Sequence, residues 1–94
     1  MNMATELQEY VEYNVRRLVD RPDDVDVNVT ISTKTVIIQI KVDQTDCGKV
    51  IGKKGRTIES LKVLTLAIKN TNFENDNRKV ILEILEDEDS SFAR

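Results

Sequence analysis

The chain has 94 residues, of which 39% are hydrophobic and 33% charged, with a formal net charge of −3; that mix suits one small folded domain and argues against disorder or two separately foldable halves. Cys47 is the only cysteine, so an internal disulfide is excluded and a cytoplasmic setting, with a buried or half-buried thiol, is the expectation. The start, Met1 to Glu6, lacks a basic stretch followed by an apolar one, and no apolar run is long enough to cross a bilayer, so neither export nor membrane insertion is expected.

Thr5 and Gln8 have capping-box spacing, and Leu7, Val11, Val15 and Leu18 recur on one face, which predicts an amphipathic helix over residues 4–20. Pro22, followed by Asp23 and Asp24, ends it, since proline cannot continue the ladder. Val25, Val27, Val29 and Ile31 then alternate with Asp26, Asn28 and Thr30, the two-residue period of a strand with one buried face. Ser32, Thr33 and Lys34 read as a turn, and Val36, Ile38, Ile40 and Val42 repeat the alternation, giving an antiparallel hairpin.

Asp43-Gln44-Thr45-Asp46 suits turns and helix N-caps and precedes a short helix over residues 47–51. Gly52 stops that helix, and Gly55 releases the chain into a longer one over residues 56–70. There Ile58, Leu61, Leu64 and Ile68 form the expected core stripe, with Val63 and Leu66 toward the far side. An Asn/Asp-rich loop follows, then Val80, Leu82 and Ile84 alternate as a third strand. Residues 87–94, mostly acidic or small and polar, read as a flexible tail beyond a domain over 1–86. The class is α+β in the order α-β-β-α-α-β. A helical crossover between strands two and three makes them parallel, in a mixed three-stranded sheet packed against three helices.

Phosphate binding is driven largely by Lys and Arg, so the placement of charge matters more than its sum. Between residues 48 and 69 the cations Lys49, Lys53, Lys54, Arg56, Lys62 and Lys69 meet one anion, Glu59, a local charge of +5. Two glycines lie inside this run. Gly52 can take the left-handed conformation that closes a helix, and Gly55 lets the turn's backbone approach a ligand. The start of the second helix offers unpaired N–H groups and the positive end of a dipole, which suits a phosphate, and Lys53 and Lys54 sit at the tip of the corner.

Val50-Ile51-Gly52-Lys53-Lys54-Gly55-Arg56-Thr57-Ile58 resembles the KH-domain signature Val-Ile-Gly-x-x-Gly-x-x-Ile. The helix-first order resembles the type II, prokaryotic KH domain, and length plus motif resemble the small stand-alone bacterial KH proteins of the KhpA family, over residues 4–86. The resemblance implies a groove holding single-stranded RNA, with a glycine loop on the backbone and aliphatic residues under the bases. By position, Gly52, Lys53, Lys54 and Gly55 would be the clamp, Lys49 and Arg56 would add charge, and Val50, Ile51 and Ile58 would match the aliphatic positions. It further implies an RNA chaperone or post-transcriptional regulator. Val63 and Leu66 would then be a face for a homodimer or for a larger RNA-binding partner carrying its own KH domain. No cofactor or metal is implied.

Rival readings are weaker. Histidine is absent, no Cys or Asp/Glu cluster has metal-ligand spacing, and Cys47 has no imidazole to activate it, so an enzyme is not expected. The glycine loop fails as a Walker A site, because Gly48 is followed five positions later by Lys53 and Gly52 by Thr57, where a second glycine is required. A helix-turn-helix DNA reader would present Arg, Gln or Asn to base edges, whereas the longer helix offers Glu59, Ser60 and Lys62. A KH fold acting mainly as a protein-interaction module suits the acidic balance. Two lysines kept between two glycines count against an idle loop. The acidic chain predicts modest affinity and strong salt dependence, and with no aromatic residue between Tyr13 and Phe73 base stacking lacks an obvious platform, so low sequence specificity is expected.

Overall fold

Positions 7, 11 and 15 share a face only if the chain is helical, and α1 (Met3–Arg16) gives Leu7, Val11 and Val15 no exposed surface. The computed structural model describes residues 2–85, so the tail expected at 87–94 lies outside the described residues. The helix is capped by Asn2, whose Oδ1 accepts the Thr5 N–H at 2.8 Å, rather than by the expected Thr5/Gln8 box. It also ends earlier than residue 20. Arg17 and Leu18 bond back to Asn14 and Val15 in a tighter turn. The amides of Asp20 and Arg21 are taken by the Asp46 carboxylate at 3.2 and 3.0 Å. An acceptor so distant in sequence leaves no local trace in the periodicity. Leu18 consequently leaves the core face and is exposed, while Val19 packs on the core instead.

Alternating valines and isoleucines build the sheet as expected. β1 (Asp26–Ile31) pairs antiparallel with β2 (Thr35–Lys41), placing Val27 opposite Ile40 and Val29 opposite Ile38. β3 (Lys79–Leu85) runs parallel to β2, with Val36 beside Val80 and Ile38 beside Leu82. The strand order is β1-β2-β3, and the central strand buries Val36, Ile38 and Ile40 completely. The α+β class, the α-β-β-α-α-β order and the mixed sheet are those read from the sequence. No helix among the described residues is long and apolar enough to cross a membrane.

The long helix α3 (Arg56–Asn72) packs against both α1 and β3, and that double contact rotates its buried line away from the predicted stripe. Leu61, Thr65 and Lys69, spaced four apart, are the buried residues. Leu64, expected in the core, is 52% exposed beside Val63 at 56%, whereas Leu66, expected on the far side, is half-buried against the core. Two polar residues are tolerated inside because each is satisfied. Thr65 Oγ1 donates to the Leu61 carbonyl at 2.7 Å. Lys69 Nζ donates to the Asp76 carbonyl at 2.8 Å and lies 3.4 Å from Asp76 Oδ1.

Candidate nucleic-acid interface

The corner between the two motif helices is built from backbone conformations that ordinary side chains disfavour. α2 (Cys47–Ile51) ends at Gly52, where φ is 79° and ψ 172°. Lys54 follows at φ 57°, ψ 26°, and Gly55 at φ 74°, ψ 14°. Gly52 is needed twice over. Its backbone lies in a region that is essentially glycine-only, and a Cβ there would overlap Thr57 Oγ1 and lie 2.8 Å from the Thr57 nitrogen. Gly55 differs: a Cβ there meets nothing within 4 Å, so only its left-handed backbone asks for glycine and the space beside it is open.

The turn is tied by the Gly52 N–H to the Gly48 carbonyl at 2.8 Å and by the Gly55 N–H to the Gly52 carbonyl at 3.1 Å. Lys53 and Lys54 project from it, both exposed and neither in an ion pair among the described residues. Among the described residues no side chain caps the N-terminus of α3 directly behind them; the Arg56 N–H donates to the Lys53 carbonyl, and the dipole of a 17-residue helix and the amides after Arg56 face the same corner as the two ammonium groups.

Lys49, grouped with the loop cations from sequence, sits in a different setting. Its Nζ lies 3.1 Å from Asp20 Oδ2 and 3.4 Å from Asp46 Oδ1. Asp46 is fully buried, and its carboxylate also accepts the Asp20 and Arg21 amides. Enclosure works to raise the Asp46 pKa, but those two amides and the Lys49 ammonium outweigh it and hold the carboxyl below its ordinary value. Hydrogen bonds to Asp20 and Asp46 raise the Lys49 ammonium above its own. With Arg21 Nε 3.9 Å from Asp43 Oδ2, these contacts latch the start of α2 to the chain leaving α1. The charge of Lys49 is thereby spent inside the protein. Asp46 occupies the N-cap position of α2, yet its side chain caps nothing there.

The aliphatic positions of the motif divide. Val50 has no exposed surface and belongs to the core; Ile51 and Ile58 are half-buried and keep part of their surface outward. Arg56 is exposed at the first position of α3. Farther along, a groove of about 500 Å³ opens between α3 and β3, with Leu66, Val80 and Ile81 contributing apolar surface and Lys62, Asn70 and Lys79 polar groups. Lys62, exposed and unpaired among the described residues, is not one of the sequence candidates, although it belongs to the same +5 run. Asp46 had no sequence signal beyond its suitability for a turn.

The family model described as "KhpA/KhpB, KH domain" matches residues 8–84. The chain belongs to the KhpA/KhpB KH-domain family. This KH domain is similar to the RNA-binding protein KhpA of Chlamydia caviae, 38% identical over 81 residues that make up 86% of this chain and 99% of that protein. The RNA-binding protein KhpA of Clostridium perfringens is 40% identical over 81 residues, 84% of this chain and 100% of its own. That of Aquifex aeolicus is 40% identical over 80 residues, 85% of this chain and 96% of its own. The matched span takes in the whole glycine corner, the latch and the α3/β3 groove. The family is not known for catalysis.

Proposed function

We propose that this KH domain binds single-stranded RNA, with the Gly52-Lys53-Lys54-Gly55 loop clamping the backbone, Arg56 adding charge, and Ile51 and Ile58 offering aliphatic surface to the bases. Lys62 extends the contact along the α3/β3 groove. One observation carries this reading: two exposed, unpaired ammonium groups stand on a left-handed turn at the uncapped start of a long helix, where a phosphate gains from charge, dipole and amides together. The printed names of the relatives, RNA-binding proteins, support it. Lys49 and Val50 drop out of the contact set, one neutralised by carboxylates and the other enclosed. The role we assign is that of a cytoplasmic RNA chaperone or post-transcriptional regulator.

The test is Lys53→Asp combined with Lys54→Asp, titrated against a fluorescent oligouridylate of about twelve nucleotides at about 0.1 M salt. Binding is expected to vanish while the unfolding midpoint stays, since exposed substitutions change stability by less than ~0.5 kcal/mol each. Equal affinity in variant and parent refutes the clamp.

A second reading has its own observation. Val63 and Leu64 are neighbouring exposed apolar residues on α3, and Leu64 lines a hollow between α1 and α3 together with Tyr13 and Leu18, themselves exposed. We assign this face, in place of Val63 with Leu66, to a second copy of the chain or to a larger KH-containing RNA-binding protein. It is compatible with RNA binding, because the α3/β3 groove is lined by other residues and the hollow shares only Thr57 with the glycine corner.

A further inference from the structure

At the far end of α3 from the glycine corner, the β1–β2 turn meets the start of β3. The Lys79 N–H donates to the Lys34 carbonyl at 3.0 Å, and Lys79 is the register partner of Thr35. Two lysines are therefore held side by side by the backbone. They line a hollow of about 440 Å³ together with Thr33, Asn75, Asn77 and Arg78. The one carboxylate in its lining, Asp76, is already committed. Its Oδ1 accepts the Arg78 N–H at 2.9 Å and lies 3.4 Å from Lys69 Nζ, and its Oδ2 accepts from Arg78 Nη1 at 2.7 Å. Glu74, the other acid of the loop, lines a neighbouring hollow with Phe73. Lys34 and Lys79 are exposed and make no ion pair among the described residues. Like charges placed together without a counter-charge repel, and an incoming phosphate relieves that repulsion while releasing its own counterions.

The hollow adjoins the α3/β3 groove, since residues 76–79 line both. A strand that starts at the glycine corner and follows the groove beside Lys62 emerges at Lys34 and Lys79. The 17 residues of α3 make that path about 25 Å long at ~1.5 Å per residue. We propose that the hollow between the β1–β2 turn and the start of β3 is a second phosphate-contact site, which takes the RNA strand as it leaves the groove and lengthens the footprint beyond the glycine loop. This inference rests on the RNA-binding reading, and its test separates the two.

The full chain and its Lys34→Gln/Lys79→Gln variant are titrated against oligouridylates of about four and about twelve nucleotides, from about 0.1 to about 1 M salt. Each phosphate contact to a single strand adds about 0.7 to the slope of log affinity against log salt, so two lysines account for about 1.4. The parent's preference for the longer strand should grow about 25-fold between the highest and lowest salt. The variant should lose that gain, weakening on the long strand more than on the short one, with its unfolding midpoint unchanged. An unaltered slope for the long strand in the variant overturns the second site, as does equal weakening of both lengths. If the parent binds both strands and Lys53→Asp/Lys54→Asp binds neither, the clamp stands whatever the Lys34/Lys79 result. A parent that binds neither strand removes the RNA reading and this site with it.

Discussion

Gly52→Ala and Gly55→Ala replace the same residue type three positions apart, yet the geometry of the corner predicts unequal outcomes. At Gly52 the backbone, φ 79° and ψ 172°, lies where an alanine costs on the order of 1–3 kcal/mol. The new methyl would also overlap Thr57 Oγ1, with the Thr57 Cβ at 2.5 Å and its nitrogen at 2.8 Å, so the first turn of α3 must shift as well. The sum is about 3 kcal/mol or more, and for a domain of this size each kcal/mol moves the midpoint by about 4–8 °C, so thermal unfolding followed by circular dichroism should show a drop of more than about 12 °C. Gly55, at φ 74° and ψ 14°, faces only the left-handed penalty of about 1–2 kcal/mol, because its methyl would enter open space. Its midpoint should fall by less. RNA affinity should nevertheless drop, since that open space is where a strand would lie. Adding Thr57→Ala to Gly52→Ala removes the Oγ1 overlap but leaves the contacts with Cβ and nitrogen, so rescue should be partial. Equal losses at the two glycines, or a larger one at Gly55, would show that the corner is not shaped this way.

Lys49→Ala should leave the salt dependence of RNA binding unchanged, because its ammonium is already matched by Asp20 and Asp46; a slope lowered by about 0.7 would mean that it reaches a phosphate after all. Asp46 has a folded pKa below the ordinary value, so its contribution to stability is present above the unfolded pKa of about 3.9 and is lost as the pH falls through the folded one. Asp46→Asn should accordingly lower the unfolding midpoint at neutral pH and flatten its decline below about pH 4; parallel midpoint-against-pH curves for variant and parent would contradict this. Leu64→Glu should weaken self-association in sedimentation without changing RNA affinity, whereas Leu66→Glu, aimed at a half-buried residue, should mainly lower stability. A monomeric parent at high concentration would remove the self-association reading.

The parts of this fold that were legible in sequence are those whose signal is local. The two-residue alternation of Val36, Ile38 and Ile40 has meaning only in a strand buried on one face, and the structure encloses those three side chains. Gly52 could likewise be placed at the helix end because so few residues tolerate its backbone. What escaped depends on contacts between distant segments. The end of α1 is set by Asp46, 25 residues beyond Arg21, and no property of residues 17–20 announces it. The exchange of Leu64 and Leu66 follows from α3 resting on two neighbours at once, which a wheel drawn for one buried face does not capture. Lys49 looked like a loop cation because sequence counts charges without their partners.

That last point also bears on how an acidic chain can hold a polyanion. Thirteen cations and thirteen anions fall within residues 1–85, so the whole excess of −3 comes from residues 86–94, with four acids and Arg94. Within the described residues, ion pairs consume Arg16, Arg21, Lys49, Lys69 and Arg78 together with acids around the end of α1 and the loop before β3. Arg17 stacks over Tyr13. The cations left without a carboxylate among the described residues are Arg17, Lys34, Lys41, Lys53, Lys54, Arg56, Lys62 and Lys79, and six of these eight follow the glycine corner, the α3/β3 groove and the hollow at its far end. At physiological salt a charge is felt over only about 8 Å, so a strand in that channel is governed by these side chains and scarcely by the net charge. Pairing thus does for the field what folding does for the core. It withdraws the balanced groups and leaves the unbalanced ones along one path.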